Sequence, residues 1–312
     1  MPSLLSDFLT YCECYEIPRN YVFWATFGLL GGTVNRKVYI KQGDIVIHCG
    51  VFVCLVGPPG NGKTTVKRFV EKLFIKACPE YPIGPSQQSR EDIVKFMASD
   101  DCLNSFTNGK GHPEELRIYA FFINELKNFV SYNPQGMLAF LTDIYDEDRF
   151  KAGTIKRGLE DIVNPCVNIL ACENPKWIIS NLKNDIISGG LSRRMVFVYE
   201  HKRPDPKPRP HVTVVAREAM ERIYKQLIAI KARSGEFCWS KEGEEFFDTW
   251  YINSRKQVTD DSILEDFRST KHIQLLKLCM LIDMSNAEPT FTITPNLLKE
   301  ALAHLDLVEA NM

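Results

Sequence analysis

Residues 54–65 read "CLVGPPGNGKTT" and fit the pattern G-x-x-x-x-G-K-[ST] at Gly57, Gly62, Lys63 and Thr64. The run just before, "VFVCLV" (51–56), is β-branched and apolar throughout, as in a strand buried on both faces of a parallel sheet. From Lys63 to about Ala77 the spacing of apolar residues turns helical. Strand, glycine loop and helix in that order let successive backbone N–H groups converge on phosphate oxygens, with the helix N-terminus aimed at the same anion. The stretch Gly57, Pro58, Pro59, Gly60, Asn61, Gly62, Lys63, Thr64 and Thr65 is therefore expected to hold a nucleotide. Lys63 would bring charge to the β- and γ-phosphates, and the Thr64 hydroxyl would ligate magnesium.

Outward from this loop the chain alternates. "IYAFFIN" (118–124), "PCVNILAC" (165–172) and "RMVFVYE" (194–200) repeat the buried-strand pattern, with helices expected at Ser89 to Ser99 and Pro134 to Tyr145. Upstream, two short helices broken near Pro18 and ending at Gly31-Gly32 precede a hairpin with its turn at Gly43-Asp44. The expected fold is α/β, a three-layer core with a parallel sheet. At "HKRPDPKPRPH" (201–211) prolines replace apolar residues, which marks an extended linker. Beyond it the pattern is helical over 213–233, 241–257, 262–285 and 295–310, with Thr294-Pro295 opening the last helix. The implied division is an N-terminal helical segment (1–35), a nucleotide-binding core (36–203), a linker (204–211) and a C-terminal helical lid (212–312).

A chain of 312 residues, 45% hydrophobic, can bury a full core. Its formal net charge of -1 offers no global attraction for nucleic acid, so any polyanion contact must come from a local patch. The ten cysteines are scattered, and Cys12 and Cys14 lack zinc-site spacing, so they are expected as reduced thiols. No stretch approaches a membrane span and no leader pattern opens the chain, so a soluble, cytoplasmic protein without a membrane partner is expected.

Hydrolysis needs a carboxylate to orient the attacking water, and "FFINEL" supplies Glu125 directly after a strand. Asn124 precedes it and offers magnesium only a neutral oxygen. Either magnesium leans on Thr64 and the phosphates, or turnover is slow. "VNILACENP" ends the next strand with Asn174, which either touches the γ-phosphate or the lytic water, or simply opens a turn with its proline. "GLSRR" places Arg193 and Arg194 before the last strand, as a solvated pair or with one reaching a neighbouring subunit's nucleotide. The stretch "DEDRFKAGTIKRGLED" (146–161) carries Lys151, Lys156 and Arg157 between glycines. It reads either as a loop that grips a nucleic-acid backbone or as a plain solvated loop.

Glycine loop, strand-end glutamate, strand-end asparagine and "GLSRR" arginine stand in the order of AAA+ ATPases. More narrowly, the chain resembles the phage and prophage helicase-like, primase-associated P-loop ATPases. The likeness extends to "NRKVYI", "IVNPCVNILACENPKWI", "RSTKHIQLLKLCMLI" and "ITPNLLKEALAHLDLVE". The resemblance implies ATP and Mg2+ as ligands, with Thr64 and Asn124 at the metal. It implies Glu125 as catalytic base, Asn174 as first sensor, and Arg193 as a finger acting in trans. Arg268 is the implied second sensor, with Lys271 and Lys277 as competitors. Asn124 departs from the family's usual acidic pair. A homo-oligomeric, probable hexameric ring that moves on or remodels single-stranded or duplex DNA through the 146–161 loop follows from this likeness. A non-motor switch, such as a helicase loader that hydrolyses slowly, is the alternative. A small-molecule kinase sharing the phosphate loop would leave "GLSRR" and the helical domain without a role.

Overall fold

The computed structural model describes residues 2–108, 111–154, 158–182, 190–256 and 261–311. Helices α1 (Leu4–Cys12) and α2 (Arg19–Val34) flank the break at Pro18. α2 runs on through Gly31-Gly32 instead of ending there, and every residue from Tyr21 to Val34 is buried. Close approach explains this. A Cβ at Gly31 would lie 2.9 Å from the Cys49 carbonyl oxygen, so the glycine serves packing rather than termination.

β1 (Val38–Gln42) and β2 (Ile45–His48) form the expected hairpin. β3 (Phe52–Val56) feeds the phosphate loop and then α3 (Lys63–Ala77). α4 (Arg90–Ala98), capped by the Ser89 side chain, leads to an antiparallel pair, β4 (Leu103–Thr107) and β5 (Pro113–Ile123). After α5 (Leu126–Val130) and α6 (Pro134–Ile144) comes a two-stranded hairpin, β6 (Arg149–Thr154) and β7 (Gly158–Val163). The core closes with β8 (Pro165–Glu173), α7 (Pro175–Leu182) and β9 (Met195–Tyr199).

The main sheet runs β4-β5-β8-β3-β9, with β4 antiparallel at the edge and the other four parallel. Strand alternation assigns its two faces. Phe52, Cys54 and Val56 pack with α4, α5, α6 and α7, while Val53 and Leu55 pack with α1, α2, α3 and C-terminal helices. The fold is thus mixed α/β with helices on both sides of a largely parallel sheet.

The C-terminal segment is not wholly helical. It comprises α8 (Val214–Lys231), β10 (Gly235–Trp239), α9 (Lys241–Ser254), α10 (Ser262–Met284), β11 (Thr292–Ile293) and α11 (Pro295–Glu309). A second sheet, β11-β10-β1-β2, pairs Val38 with Gly235 in parallel. α8 packs on α1, α2 and α3, and α10 on α2. Lys277 of α10 is 1% exposed, donating to the Gly50 carbonyl (3.0 Å) and Asp146 (2.9 Å), with its ammonium 3.9 Å from the Tyr145 ring centroid. The C-terminal segment shares one hydrophobic core with the N-terminal helices. No helix among the described residues is long and apolar enough to cross a membrane.

Candidate functional site

Parallel strands all end on one edge, and there the side chains that follow β3, β8 and β5 converge. Because β8 lies between the other two, the end of β5 stands two strand spacings, roughly 9–10 Å, from the strand that feeds the phosphate loop. A cavity of about 520 Å³ opens in that gap. It is lined by Pro59 to Thr65 of the loop, by Asn124 and Glu125 after β5, and by Glu173 and Asn174 at the end of β8. The rest of its wall is formed by Tyr15, Glu16, Ile17 and Pro210.

The loop is held from behind. Gly62 caps α3 at φ +79°, and a Cβ there would lie 2.7 Å from the Glu16 carbonyl oxygen, so this position tolerates only glycine. The Tyr21 hydroxyl donates to the Val56 carbonyl (2.6 Å), and buried Asn61 donates to the Glu200 carbonyl (2.7 Å). Arg203 donates to the Pro59 carbonyl (2.9 Å). Lys63 donates to the carbonyls of Gly57 (2.5 Å) and Pro58 (2.8 Å). Burial lowers its pKa, while Cys172, Cys54 and Glu173 pull the other way. Beneath it, buried Lys67 fastens α3 to the Phe122 carbonyl at the end of β5 (3.3 Å) and pairs with Glu71 (2.8 Å).

Glu125 reaches the cavity but is half exposed, 3.2 Å from the Lys127 ammonium, and it accepts from the Asn128 amide (3.1 Å). Asn124 is exposed beside it. Asn174 opens α7, its Oδ1 accepting from the Trp177 N–H (3.1 Å), and the residue also lines the cavity. Sequence reading missed Glu173, which is 2% exposed although it faces the cavity. Its signal was a charged residue inside the run "CVNILACE", where burial on both faces should admit only apolar side chains. The wall of Tyr15, Glu16, Ile17 and Pro210 was missed too, since neither the break before Pro18 nor a proline linker carries a binding pattern.

Arg193 does not line the cavity. Its strand, β9, starts at the opposite edge of the sheet, with Met195 paired to Phe52 and Tyr199 to Val56. At about 3.3 Å per residue, those four steps set it about 13 Å below the loop. It is bound to Asp266 of α10 (2.6 Å) with its side chain 48% exposed. Arg194 donates to the Gly190 carbonyl (3.2 Å). Nor are the second-sensor candidates brought to the loop. Arg268 pairs with Glu309 (2.6 Å), Lys271 with Asp306 (2.6 Å) and Glu309 (2.5 Å), and Lys277 with Asp146. Within the 146–161 stretch the described residues from Arg149 pair as the antiparallel strands β6 and β7 rather than forming a loose loop. Arg149 and Lys151 there both face Asp161, the latter at 4.0 Å, which neutralises part of the expected basic patch. Lys156 and Arg157 lie outside the described residues.

The donor set fits a magnesium-bound polyphosphate. Lys63 brings a cation to the cavity, Thr64 offers a hydroxyl, and Asn124 a carbonyl oxygen. Among the described residues no cluster of three or more His, Cys, Asp or Glu side chains is poised around a metal. A cation here would lean on the substrate's phosphates and water, as magnesium does. All ten cysteines are free, and the two closest to the loop, Cys54 and Cys172, are buried with raised pKa values through desolvation. No protein-family model matches this chain, and no curated protein matches it.

Proposed function

We propose that this chain is an ATPase with an AAA+-like P-loop core, working as a ring-forming, helicase-like motor that moves on or remodels DNA in phage-type replication. One observation carries the reading. A glycine loop with its lysine, a strand-end carboxylate and a strand-end asparagine, far apart in sequence, line a single cavity at one edge of a parallel sheet.

The triphosphate would lie along residues 57–65, with Lys63 leaving the Gly57 and Pro58 carbonyls for the β- and γ-oxygens. The base would rest between Ile17, Tyr15 and Pro210, whose apolar surfaces suit a flat ring. Glu125, once released from Lys127, accepts a proton from the water that attacks the γ-phosphorus. The bond to the β-γ bridging oxygen breaks, and ADP and phosphate leave. The Asn174 amide donates to the phosphate or the water. Thr64 and Asn124 would hold magnesium, which would supply charge neutralisation to the phosphates. Arg193, too far to serve its own cavity, would complete a neighbour's after exchanging Asp266 for phosphate. The 146–161 stretch, with Lys151, is the candidate contact to DNA.

A non-motor switch with slow hydrolysis is the second reading. Asn124 in place of an acid favours it, as does the pairing of Glu125 with Lys127. Phosphate release measured with and without single-stranded DNA, beside the assembled mass, separates the two. A motor is stimulated by DNA as an oligomer, whereas a switch is indifferent to DNA. Absence of any ATP association at millimolar magnesium sinks both.

A further inference from the structure

We propose that Glu173 is a positioning residue of this site, clamping the backbone on which Glu125 and Asn174 stand. The inference rests on the ATPase reading above and adds a residue to it.

Glu173 ends β8, directly between the loop strand and the strand of Glu125, and pairs in register with Val56. Its carboxylate is divided between two backbones. Oε2 accepts from the Lys127 N–H and Oε1 from the Asn174 N–H, each at 2.8 Å. The Lys127 amide lies in the first turn of α5, two residues beyond Glu125, and is one of the donors a helix start leaves without an intrahelical partner. The Asn174 amide belongs to the sensor itself. One side chain thus fixes the spacing of the two groups that must meet the γ-phosphate and its water.

Charge is part of the assignment. Among the described residues no cation stands within ion-pair distance of Glu173. Its negative charge is stabilised by two charge-assisted bonds to backbone and remains directed at the cavity that Lys63 enters. This is the buried negative charge that Asn124 does not provide. Glutamine cannot replace it. The amide has one acceptor oxygen, and its NH2 would meet a backbone N–H, two donors face to face in a buried place.

The test is carried out on the full chain with ATP and magnesium, scoring turnover per bound nucleotide so that loss of folded protein does not count. In Glu173→Gln, ATP affinity measured with a fluorescent analogue should stay within about threefold, while kcat falls about 100-fold, the scale of an angstrom-sized misplacement of catalytic groups. Glu173→Asp, which keeps the charge but cannot span both amides, should fall similarly. Because Glu173 acts through Glu125 and Asn174, adding Glu173→Gln to the double variant Glu125→Gln/Asn174→Ala should slow it no further. Multiplied losses in that triple variant, unchanged kcat in Glu173→Gln, or loss of nucleotide binding in Glu173→Gln would each overturn the assignment. Failure of the unsubstituted protein to bind ATP would instead overturn the ATPase reading and leave the carboxylate clamp as a feature of the fold.

Discussion

Replacing Lys63 by Met keeps the length of the side chain and removes its charge. That charge is held by two carbonyls, of Gly57 at 2.5 Å and Pro58 at 2.8 Å. On ATP binding, the lysine would exchange them for two phosphate oxygens. Hydrogen bonds involving charged groups contribute about 1.5–3 kcal/mol each, so two phosphate contacts amount to about 3–6 kcal/mol. Releasing the two carbonyls takes back roughly half of that. The net loss in Lys63→Met is then about 1.5–3 kcal/mol, or roughly 12- to 140-fold in ATP dissociation constant at 1.4 kcal/mol per decade. Calorimetric titration with ATP, ADP and AMP at fixed magnesium reads it. The penalty should be largest for ATP, smaller for ADP and near zero for AMP, whose single phosphate the lysine does not meet. An equal penalty for all three nucleotides, or none for ATP, would refute the assignment of Lys63 to the β- and γ-phosphates.

Three further outcomes are expected. Glu125→Gln should bind ATP normally and lose turnover by about 100-fold or more, the range for removing a positioned general base, as read by phosphate release in a single-turnover mix. Arg193→Ala and Lys63→Ala subunits, each inactive alone, should recover part of the activity when mixed. No recovery in verified mixed oligomers would count against a finger shared between subunits. His48 sets an acid limit on stability, because burial, with the charges of Arg36 and Lys277, lowers its pKa to about 3. Its folded pKa lies below its unfolded value of about 6.5, so the unfolded chain takes up the proton first, and stability present above about pH 6.5 is lost as pH falls toward 3. By pH 5.5 that loss is about 1.4 kcal/mol in urea unfolding, and His48→Gln should abolish this part of the pH dependence.

The loop, its strand and its helix were legible because each is written in consecutive residues. The expected helix from Lys63 to Ala77 matches α3, and Ser89, Asn133 and Thr294 cap the helices they precede. What was illegible depends on distant partners. β4 has an unremarkable composition and is a strand because β5 extends beside it, with Leu103 opposite Arg117. β10 and β11 lie between strong helices; β10 exists because β1 offers an edge, and β11 because β10 does. The gathering of Glu125 and Asn174 at one cavity was foreseeable from strand ends, but Glu173 was not. A lone carboxylate in an apolar run acquires meaning only when the two amides it meets are known. The reverse holds for Arg268, Lys271 and Lys277, which look like phosphate ligands in sequence and meet carboxylates in the fold.

The pairing of Val38 with Gly235 has a consequence for how the chain is made. The two positions are separated by 235 − 38 = 197 residues, and at about 5–20 residues per second a ribosome needs roughly 10–40 s to supply the second after the first. Through that interval β1 has β2 on one flank and an open ladder on the other, the situation that invites a foreign strand. A nascent chain halted before residue 235 would therefore be a sticky fragment rather than a smaller folded protein. Efficient production depends on whatever shields that edge until the C-terminal strands arrive.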